Sequence, residues 1–572
     1  MKFSQMPYKR PVYEDLQSQL QILLQQFKDV STAEACFDVY KAYDDCSSAY
    51  ITMFNLARIR NALDVNDEFY NKEKEYSDMT IPKLQEINQA FTTALLNSPF
   101  RSDMENKWGS LMFNNAEMEL KTISSEIVSD LQEENTLVTE YSNLIASSQM
   151  DFDGKTLTFA EIISYFENPD RSVRKSAQYA MANWFTSRAE QLDTIFDELV
   201  KVRTRIAKKL GYSNFVQLGY DRMQRNCYDQ DMVAKFRKGV VEHIVPIVIK
   251  LKKEQAQRIG VGTLKAYDQY FKFPDGNVKP KGTADDLLAH GKKMYRELSV
   301  ETAEFIDFML DNELFDVLAR PGKVFGGYCF TLPKYNAPFI LANFNGTASD
   351  IAVLNHEAGH AFAAYAAKDI YPSVLKNYSM EIAEVHSMTM EFLTWPWMEG
   401  FLGEQTYKYY YTQLLNALTF LPQGAMSDEF QHHIYQNPDM TPVQRNQYWL
   451  ELEAKYRPWL DLEDTPFDGD GRFWQAEMLI YEVPFYMIDY ALAEIVALNF
   501  WIENQKSPQQ TWYKYKQLVS FAGTKTFLAL IDEVDLPTPF EPDNIKKVAA
   551  AASAWLNECK CGSEILRKRR AT

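Results

Sequence analysis

Helical spacing of the apolar residues is the feature that most restricts what this chain can fold into. One N-terminal segment shows it at i, i+4, i+7 and i+11: Leu16, Leu20, Leu23 and Phe27. Residues at this spacing lie on one face of a helix. Similar segments follow one another through the N-terminal half, and only 22 of 572 residues are glycine, which disfavours a turn-rich β architecture. We therefore expect a mostly α-helical protein.

Residues 319–350 form the one region that is dense in glycine, proline and aromatic residues. Its runs GGYCFTL and APFILANF have the composition of two short strands. Thr347 and Asp350 then have the spacing of a capping box, which marks a helix start. We therefore expect a small β-sheet that leads directly into the next helix.

That helix carries the motif His356-Glu357-Ala358-Gly359-His360. Positions i and i+4 share a helix face, so both histidines can bind a single ion. Glu357 lies one residue off that face, where its carboxylate can act as the general base for a water molecule that zinc activates. A chance match is the alternative, but the chain has only 7 histidines. Gly359 adds to the case, because an interior helix glycine is tolerated where something must approach closely.

A catalytic zinc ion needs a third protein ligand. The segment MEIAEVHSMTMEF offers Glu384 and Glu391, which are seven residues apart and about 10 Å apart along a helix axis. One of them can bind zinc while the other accepts a hydrogen bond from a ligand histidine. His386 points roughly away from both. Spacing alone does not choose between Glu384 and Glu391, and a solvated acidic face is the competing interpretation.

The sequence resembles the oligoendopeptidase F group of the M3 metallopeptidases. The resemblance rests on HEAGHAF, on AEVHSMTMEFLTWPW about 24 residues later, and on APFILANFNGT and PFYMIDYALA, all in the family's order. It implies an endopeptidase for short peptides that holds one Zn²⁺ through His356, His360 and Glu384, with Glu357 as the base. It also implies a mostly helical clam or bowl that encloses a deep channel. The strand near 342–346 would then pair with an extended peptide.

One position departs from the family pattern. The family carries a histidine where this chain has Leu479, and that histidine and nearby tyrosines help to stabilise the oxyanion of the reaction. Tyr486 and Tyr490 remain, four residues apart, and we expect them to contact the oxyanion; aromatic core packing is the alternative for each. Loss of one oxyanion donor costs about 10²–10³ in rate. We therefore expect a retuned or impaired peptidase rather than an inactive one.

Two other functions stay open at this stage. The first is a peptide-binding protein of the same family with impaired catalysis, because of Leu479. The second is a zinc carboxypeptidase, since HExxH followed by a downstream glutamate also occurs in such enzymes.

The net charge of −18, from 60 basic and 78 acidic residues, argues against a nucleic-acid partner. The short basic run at 567–570 is expected to be a solvated tail. No apolar run approaches the roughly 20 residues that span a bilayer, and the N-terminus lacks the apolar segment of a secretory signal. Six scattered cysteines fit free thiols in a reducing compartment. We expect a cytoplasmic protein without membrane partners; its oligomeric state is not predicted.

No linker separates domains clearly. We expect an N-terminal helical lobe over residues 1–165 and an M3-like catalytic region over residues 166–572, built as one continuous unit.

Overall fold

The computed structural model describes residues 1–324 and 326–561. Helices dominate these residues, and the strands are few and short, so the predicted mostly α-helical fold is confirmed. No helix within the described ranges is long and apolar enough to cross a membrane. The basic run at 567–570 lies outside the described residues.

The α-helices, in chain order, are α1 Tyr13–Asp29, α2 Ala33–Leu63, α3 Glu68–Leu96, α4 Arg101–Trp108, α5 Leu111–Lys121, α6 Val128–Ala146, α7 Phe159–Ile163, α8 Arg171–Ser187, α9 Ala189–Lys209, α10 Phe215–Arg222, α11 Gln230–Gly239, α12 Val245–Arg258, α13 Ala284–Leu298, α14 Val300–Asp311, α15 Ser349–Ala366, α16 Met380–Leu393, α17 Met398–Leu402, α18 Thr406–Gln436, α19 Pro442–Tyr456, α20 Met478–Glu482, α21 Met487–Asn504, α22 Pro508–Phe521, α23 Phe527–Glu533 and α24 Pro542–Cys561. The strands are β1 Met150–Phe152, β2 Lys155–Leu157, β3 Leu264–Lys265, β4 Phe315–Leu318, β5 Tyr328–Leu332, β6 Ala337–Phe344 and β7 Leu460–Asp461.

The chain forms two compact units, and neither is continuous in sequence. Unit 1 consists of Met1–Leu120, Lys279–Glu404 and Phe500–Leu536. Unit 2 consists of Lys121–Val278, Gln405–Asn499 and Pro537–Thr572. The two histidines of the HExxH motif belong to unit 1, whereas Tyr486 and Tyr490 belong to unit 2.

The N-terminal helices of unit 1 follow the predicted periodicity. Leu20, Leu23 and Phe27 of α1 are buried, and Phe27 packs against Phe91 of α3 with ring centroids 4.9 Å apart. Burial of each large apolar side chain contributes about 1.5–3 kcal/mol, which is what holds helices of modest intrinsic stability together.

Unit 1 also contains the predicted sheet, in the order β4–β6–β5. The runs GGYCFTL and APFILANF supply β5 and β6, which pair antiparallel, whereas β4 pairs parallel with β6. β6 is the central strand, with Phe344 paired to Leu318 of β4, whereas the pairing of β5 with β6 ends at Leu341. Pairing of residues 342–346 with an extended peptide stays a prediction.

A buried lysine joins β4 to β6 where their register shifts. Lys323 Nζ donates to the carbonyl oxygens of Asp316 (2.9 Å), Leu318 (3.1 Å) and Ala342 (2.5 Å), and to Asp316 Oδ1 (2.7 Å). These acceptors satisfy the charge that burial would otherwise leave unpaired. The lysine thereby fixes the segment that precedes β5.

A short connection carries the chain from β6 into α15. The predicted capping box is wrong: Ala348 is the N-cap residue, and its side chain makes no cap hydrogen bond. Asp350 instead accepts hydrogen bonds from the backbone N–H groups of Asn345 and Gly346. A carboxylate in the first helical turn also interacts favourably with the helix dipole.

Unit 2 is built around α18 and α21, whose inward residues are largely buried. Arg225 and Asp489 form a buried ion pair with Nη2 and Oδ1 2.8 Å apart. Arg225 Nη2 also donates to the carbonyl oxygen of Phe485, 2.6 Å away. This pairing fixes the turn that starts α21.

Candidate active site

Three potential metal ligands converge in unit 1. His356 and His360 lie one turn apart on α15, and Glu384 lies on the adjacent helix α16. Glu384 Oε2 is 3.3 Å from His356 Nε2 and 3.7 Å from His360 Nε2. One ligand atom from each residue lies within 4.8 Å of the other two. Within the described ranges, these three residues are the one group of at least three His, Cys, Asp or Glu side chains that lie close enough together to hold a metal ion.

The donor set, and the two separations that involve Glu384, fit a zinc ion. In a tetrahedral site with ligand distances of about 2.0–2.1 Å, neighbouring ligand atoms stand roughly 3.3–3.4 Å apart. The separations of 3.3 and 3.7 Å to Glu384 are close to that value. Two imidazole nitrogens and one carboxylate are also the ligands of one class of catalytic zinc site, which keeps a fourth position for water or substrate.

Gly359 allows α15 and α16 to approach closely enough for this convergence. A Cβ at position 359 would stand 2.7 Å from the carbonyl oxygen of His386 and 2.7 Å from Ser387 Cα. Backbone atoms cannot yield as a flexible side chain can, so any larger residue would push the helices apart. This is the close approach that the glycine indicated in the sequence.

Hydrogen bonds orient each of the three side chains. His356 Nδ1 lies 2.9 Å from Glu391 Oε1, so the imidazole can donate there while Nε2 faces Glu384. The ring of His360 donates a hydrogen bond to the backbone carbonyl oxygen of Ala383. Ser387 Oγ donates to Glu384 Oε2 over 3.0 Å. Glu384 thus faces both histidines, whereas Glu391 contacts only one of them, His356, on the opposite side of its ring. Sequence spacing alone did not show which of the two glutamates meets both histidines.

The two histidines have opposite electrostatic surroundings. Burial lowers the pKa of His356, but its hydrogen bonds with Glu384 and Glu391 outweigh that effect and hold the pKa well above its ordinary value. Burial dominates at His360 and lowers its pKa to about 4, despite attraction by Glu384. A neutral His360 has a lone pair available for a metal ion.

Glu357 is buried on the helix that carries the two histidines. Its side chain is 7% exposed, and burial raises its pKa to about 7, with Glu384 and Glu391 also raising it and His356 lowering it. A carboxyl group whose pKa lies near neutrality can both accept and return a proton. Gly327 leaves room for this carboxylate, because a Cβ there would lie 2.9 Å from Glu357 Oε1.

Gly327 and the residue that positions it belong to no motif that predicted the site from the sequence. Asn343 of β6 donates through Nδ2 to the carbonyl oxygens of Val324 (2.8 Å) and Gly326 (2.9 Å). This holds the glycine pair against α15. The signal available was the adjacent Gly-Gly before β5, since a glycine in or beside a strand often marks a close approach.

His386 is not part of the ligand group. It is fully buried, its ring lies edge-on to Tyr378 with centroids 4.6 Å apart, and burial lowers its pKa to about 3. Its backbone carbonyl accepts a hydrogen bond from Tyr515 Oη over 2.9 Å. This histidine therefore packs in the core behind α16, as its position opposite Glu384 and Glu391 predicted.

Tyr486 and Tyr490 lie together in unit 2. Their ring centroids are 4.8 Å apart, with Tyr486 in the turn before α21 and Tyr490 in its first turn. Both side chains are partly exposed rather than core residues. Leu479 lies on the short helix α20 and is also partly exposed. Contact of the two tyrosines with a reacting substrate stays a prediction.

Comparisons with known proteins place the chain in a peptidase family. Residues 164–527 match the description "Peptidase family M3", and residues 3–123 match "Peptidase M3 N-terminal domain". The solved structure of Pz peptidase A with an inhibitor is 45% identical and covers 97% of this chain and 99% of its own, with a TM-score of 0.93.

Two curated bacterial relatives are more distant in sequence. Oligopeptidase PepF of Bacillus subtilis is 22% identical over 463 residues, which cover 75% of this chain and 67% of the relative. An oligoendopeptidase F homologue of Borreliella burgdorferi is 22% identical over 546 residues, 87% of each chain.

Proposed function

Because the chain belongs to peptidase family M3, we propose that it uses one zinc ion to hydrolyse internal bonds of short oligopeptides. At the level of enzyme class it is a metalloendopeptidase of the oligoendopeptidase F group. The zinc ion, the residue roles and the substrate length are the parts proposed here.

One observation carries the proposal. The Nε2 atoms of His356 and His360 face a single oxygen of Glu384, and Glu357 is buried on the same helix as the histidines. Metal-assisted hydrolysis needs three protein ligands for the zinc ion and a separate carboxylate that acts as the base.

The residues of the chain then have separate tasks. When bound, zinc supplies Lewis acidity and lowers the pKa of a coordinated water. Glu357 accepts a proton from the water that attacks the scissile carbonyl carbon and passes it to the departing amine nitrogen. Glu391 holds the ring of His356 through Nδ1, which fixes the tautomer that leaves Nε2 as a ligand. The hydroxyls of Tyr486 and Tyr490 are proposed to donate hydrogen bonds to the developing oxyanion.

The test is cleavage of a short, internally quenched peptide blocked at both ends. Zinc-loaded protein should cut it internally, at a position that mass spectrometry identifies. The variant Glu357→Gln should keep stoichiometric zinc and lose turnover. Near-normal turnover in that variant would remove the assignment of Glu357 as base, and zinc loss in a His356→Ala variant with full activity would remove the metal requirement.

A second candidate is a peptide-binding protein of this family with impaired catalysis, which the leucine at position 479 favours. Zinc-loaded protein that binds the blocked peptide without cutting it would support this candidate. The carboxypeptidase alternative predicts cleavage only when the C-terminal carboxylate is free, so amidated and free peptides separate the two.

We also propose binding partners and a cellular location for the protein. We expect short peptides as partners, rather than nucleic acid or a membrane, and a cytoplasmic location. The division near residue 165 and the enclosing channel also stay predictions.

A further inference from the structure

Two buried lysines in unit 2 lie without an acidic partner. Lys252 on α12 is 3% exposed, and Lys272, in the segment that follows β3, is 6% exposed. Within residues 1–324 and 326–561, no carboxylate lies within 4.0 Å of either ammonium group. Lysine is almost never fully buried unless it is paired. Two such residues in one region therefore need an explanation.

Hydrogen bonds from α12 hold the side chain of Lys252 and the backbone of Lys272 in the same region. Gln255 accepts from Lys252 Nζ over 3.2 Å, and its amide nitrogen donates to the carbonyl oxygens of Gln269 (3.0 Å) and Phe271 (2.9 Å). Arg258, one turn further along α12, donates through Nε to the carbonyl oxygen of Lys272 over 2.7 Å. The side chain of Lys252 and the backbone of Lys272 thus lie in one small region, formed by α12 and the segment 269–272.

This region has more N–H groups than acceptors. Among the residues that the structure describes, Lys252 Nζ, with three N–H donors, has one hydrogen-bond partner, the side chain of Gln255. Arg258 Nη1 donates to Tyr411 Oη over 3.2 Å, but Arg258 Nη2 is buried and has no partner in the same described ranges. A buried donor left without an acceptor costs about 1–3 kcal/mol, and more when it is charged. An absent acceptor would satisfy several of these groups at once.

The positive charges around Lys252 also favour a bound anion. Burial is the main cause that lowers the pKa of Lys252 to about 7, and Lys272, Arg258 and Arg457 each lower it further. Arg457 is itself paired with Glu453, and Lys272 is attracted by Glu167. No anion appears among the groups that act on Lys252 within the described part of the chain. Like charges gathered away from water repel unless an anion lies between them.

We propose that Lys252, Lys272 and Arg258 form a binding site for a small oxyanion. The donors suit a carboxylate or a free phosphate equally, because both present several oxygen acceptors and a negative charge. This proposal does not rest on the zinc site or on the peptidase activity. An oxyanion that binds only the folded protein would stabilise unit 2 by mass action.

The probe is inorganic phosphate, with sodium acetate as the carboxylate arm and sodium chloride at matched ionic strength as the control. Thermal unfolding of the full-length protein is followed at slightly acidic pH, where the lysines are charged. Phosphate, acetate or both should raise Tm in a saturable manner beyond chloride, and calorimetry on the unmodified protein should give a Kd. Binding of phosphate alone would identify the oxyanion as a phosphate, and binding of acetate alone would identify it as a carboxylate. A Tm that depends on ionic strength alone, with no binding heat, would overturn the proposal.

Variants locate the site. Lys252→Met removes the charge and keeps a chain of similar length, so affinity for the oxyanion should fall by about tenfold to a hundredfold, the range for losing a charge-assisted hydrogen bond. Without added anion this variant should have a higher Tm than the parent, because a lone buried charge is gone. Lys253→Met is the matched control: it is the next residue on α12, is exposed, and should leave the affinity unchanged. Unchanged affinity in both Lys252→Met and Lys272→Met would overturn the proposal.

Discussion

Gly359 and His386 are in direct backbone contact, so that a Cβ added to the glycine would lie 2.7 Å from the histidine carbonyl oxygen. This contact sets the distance between α15 and α16, and hence the distance between Glu384 and the histidines His356 and His360, the proposed ligands.

The first prediction concerns Gly359→Ala. Alanine gains about 1 kcal/mol of helix propensity, but forcing a methyl group into packed backbone costs about 1–3 kcal/mol. The nearest atoms belong to the backbone and cannot move aside, so the steric cost should exceed the gain in helix propensity. We expect a lower free energy of unfolding and weaker zinc binding, measured by denaturant titration and chelator competition. Gly262→Ala is the control, since nothing lies within 4 Å of its added Cβ. Unchanged zinc affinity in Gly359→Ala would contradict the role of this contact.

The second prediction concerns Gly327→Ala. The added Cβ would lie 2.9 Å from Glu357 Oε1 and 2.9 Å from Val353 Cγ1. Glu357 can move its carboxylate, so the fold should be kept while the base leaves its position. A displacement of this kind costs up to about 10²-fold in kcat. Zinc content should remain at the parent level. Parent kcat in the variant would show that the pocket beside Gly327 does not position the base.

The third prediction concerns Glu391, whose Oε1 lies 2.9 Å from His356 Nδ1. Removing such a partner weakens metal binding by about 10–100-fold. We expect this for Glu391→Leu and a smaller loss for Glu391→Gln, because the amide oxygen can still accept the N–H hydrogen bond. Chelator competition measures both dissociation constants. Equal zinc affinity in the parent and the leucine variant would contradict the proposed orientation of His356.

The fourth prediction concerns Leu479, which stands where the family carries histidine. If the position faces the oxyanion, Leu479→His should raise kcat, by as much as about 10²–10³ if a full donor is restored. KM should change little. Met478→His is the matched control, because Met478 is the exposed neighbour on the same short helix. A gain of similar size in both variants would mean that the effect is not specific to position 479.

The fifth prediction concerns pH and stability. Burial raises the pKa of Asp468 in unit 2 to about 7, whereas its unfolded value is near 3.9. The folded protein therefore holds a proton that the unfolded chain releases. The stabilising contribution is complete below the unfolded pKa and is lost as pH rises through the folded one.

Asp468→Asn should remove this dependence. Gln178 Nε2 donates to Asp468 Oδ2 over 2.7 Å and can donate equally to the asparagine oxygen. The difference in unfolding free energy between variant and parent should grow with a slope of up to about 1.4 kcal/mol per pH unit between the two pKa values. Denaturant titrations across that range measure it, and a pH-independent difference would contradict the shifted pKa.

Local patterns in the sequence predicted the local parts of the fold. The spacing of Leu20, Leu23 and Phe27 gave the buried face of α1, and the i, i+4 spacing of His356 and His360 put both rings on one face. Gly359 indicated a close approach before the neighbour was known. These predictions depend on backbone geometry within a few residues, which the sequence determines directly.

Properties that depend on distant segments were beyond the sequence. Glu384 and Glu391 share a helix face, and only the packing of α16 on α15 decides which of them meets both histidines. The pairing of Leu318 with Phe344 makes β6 a central strand, although its sequence reads equally well as an edge. Asp350 binds the backbone of Asn345 and Gly346 instead of serving in a capping box, because the preceding turn brings those N–H groups to it.

The discontinuity of unit 1 has a consequence for how the protein is made. Its first segment ends at residue 120, but the unit is completed by residues 500–536. At about 5–20 residues per second, the ribosome needs roughly 20–80 s to deliver the missing segment. Within this interval α15 and α16 are made before α22, which packs against them through contacts such as Phe362 with Tyr515. The apolar face of α15 that Tyr515 covers is therefore exposed until residues 508–521 emerge.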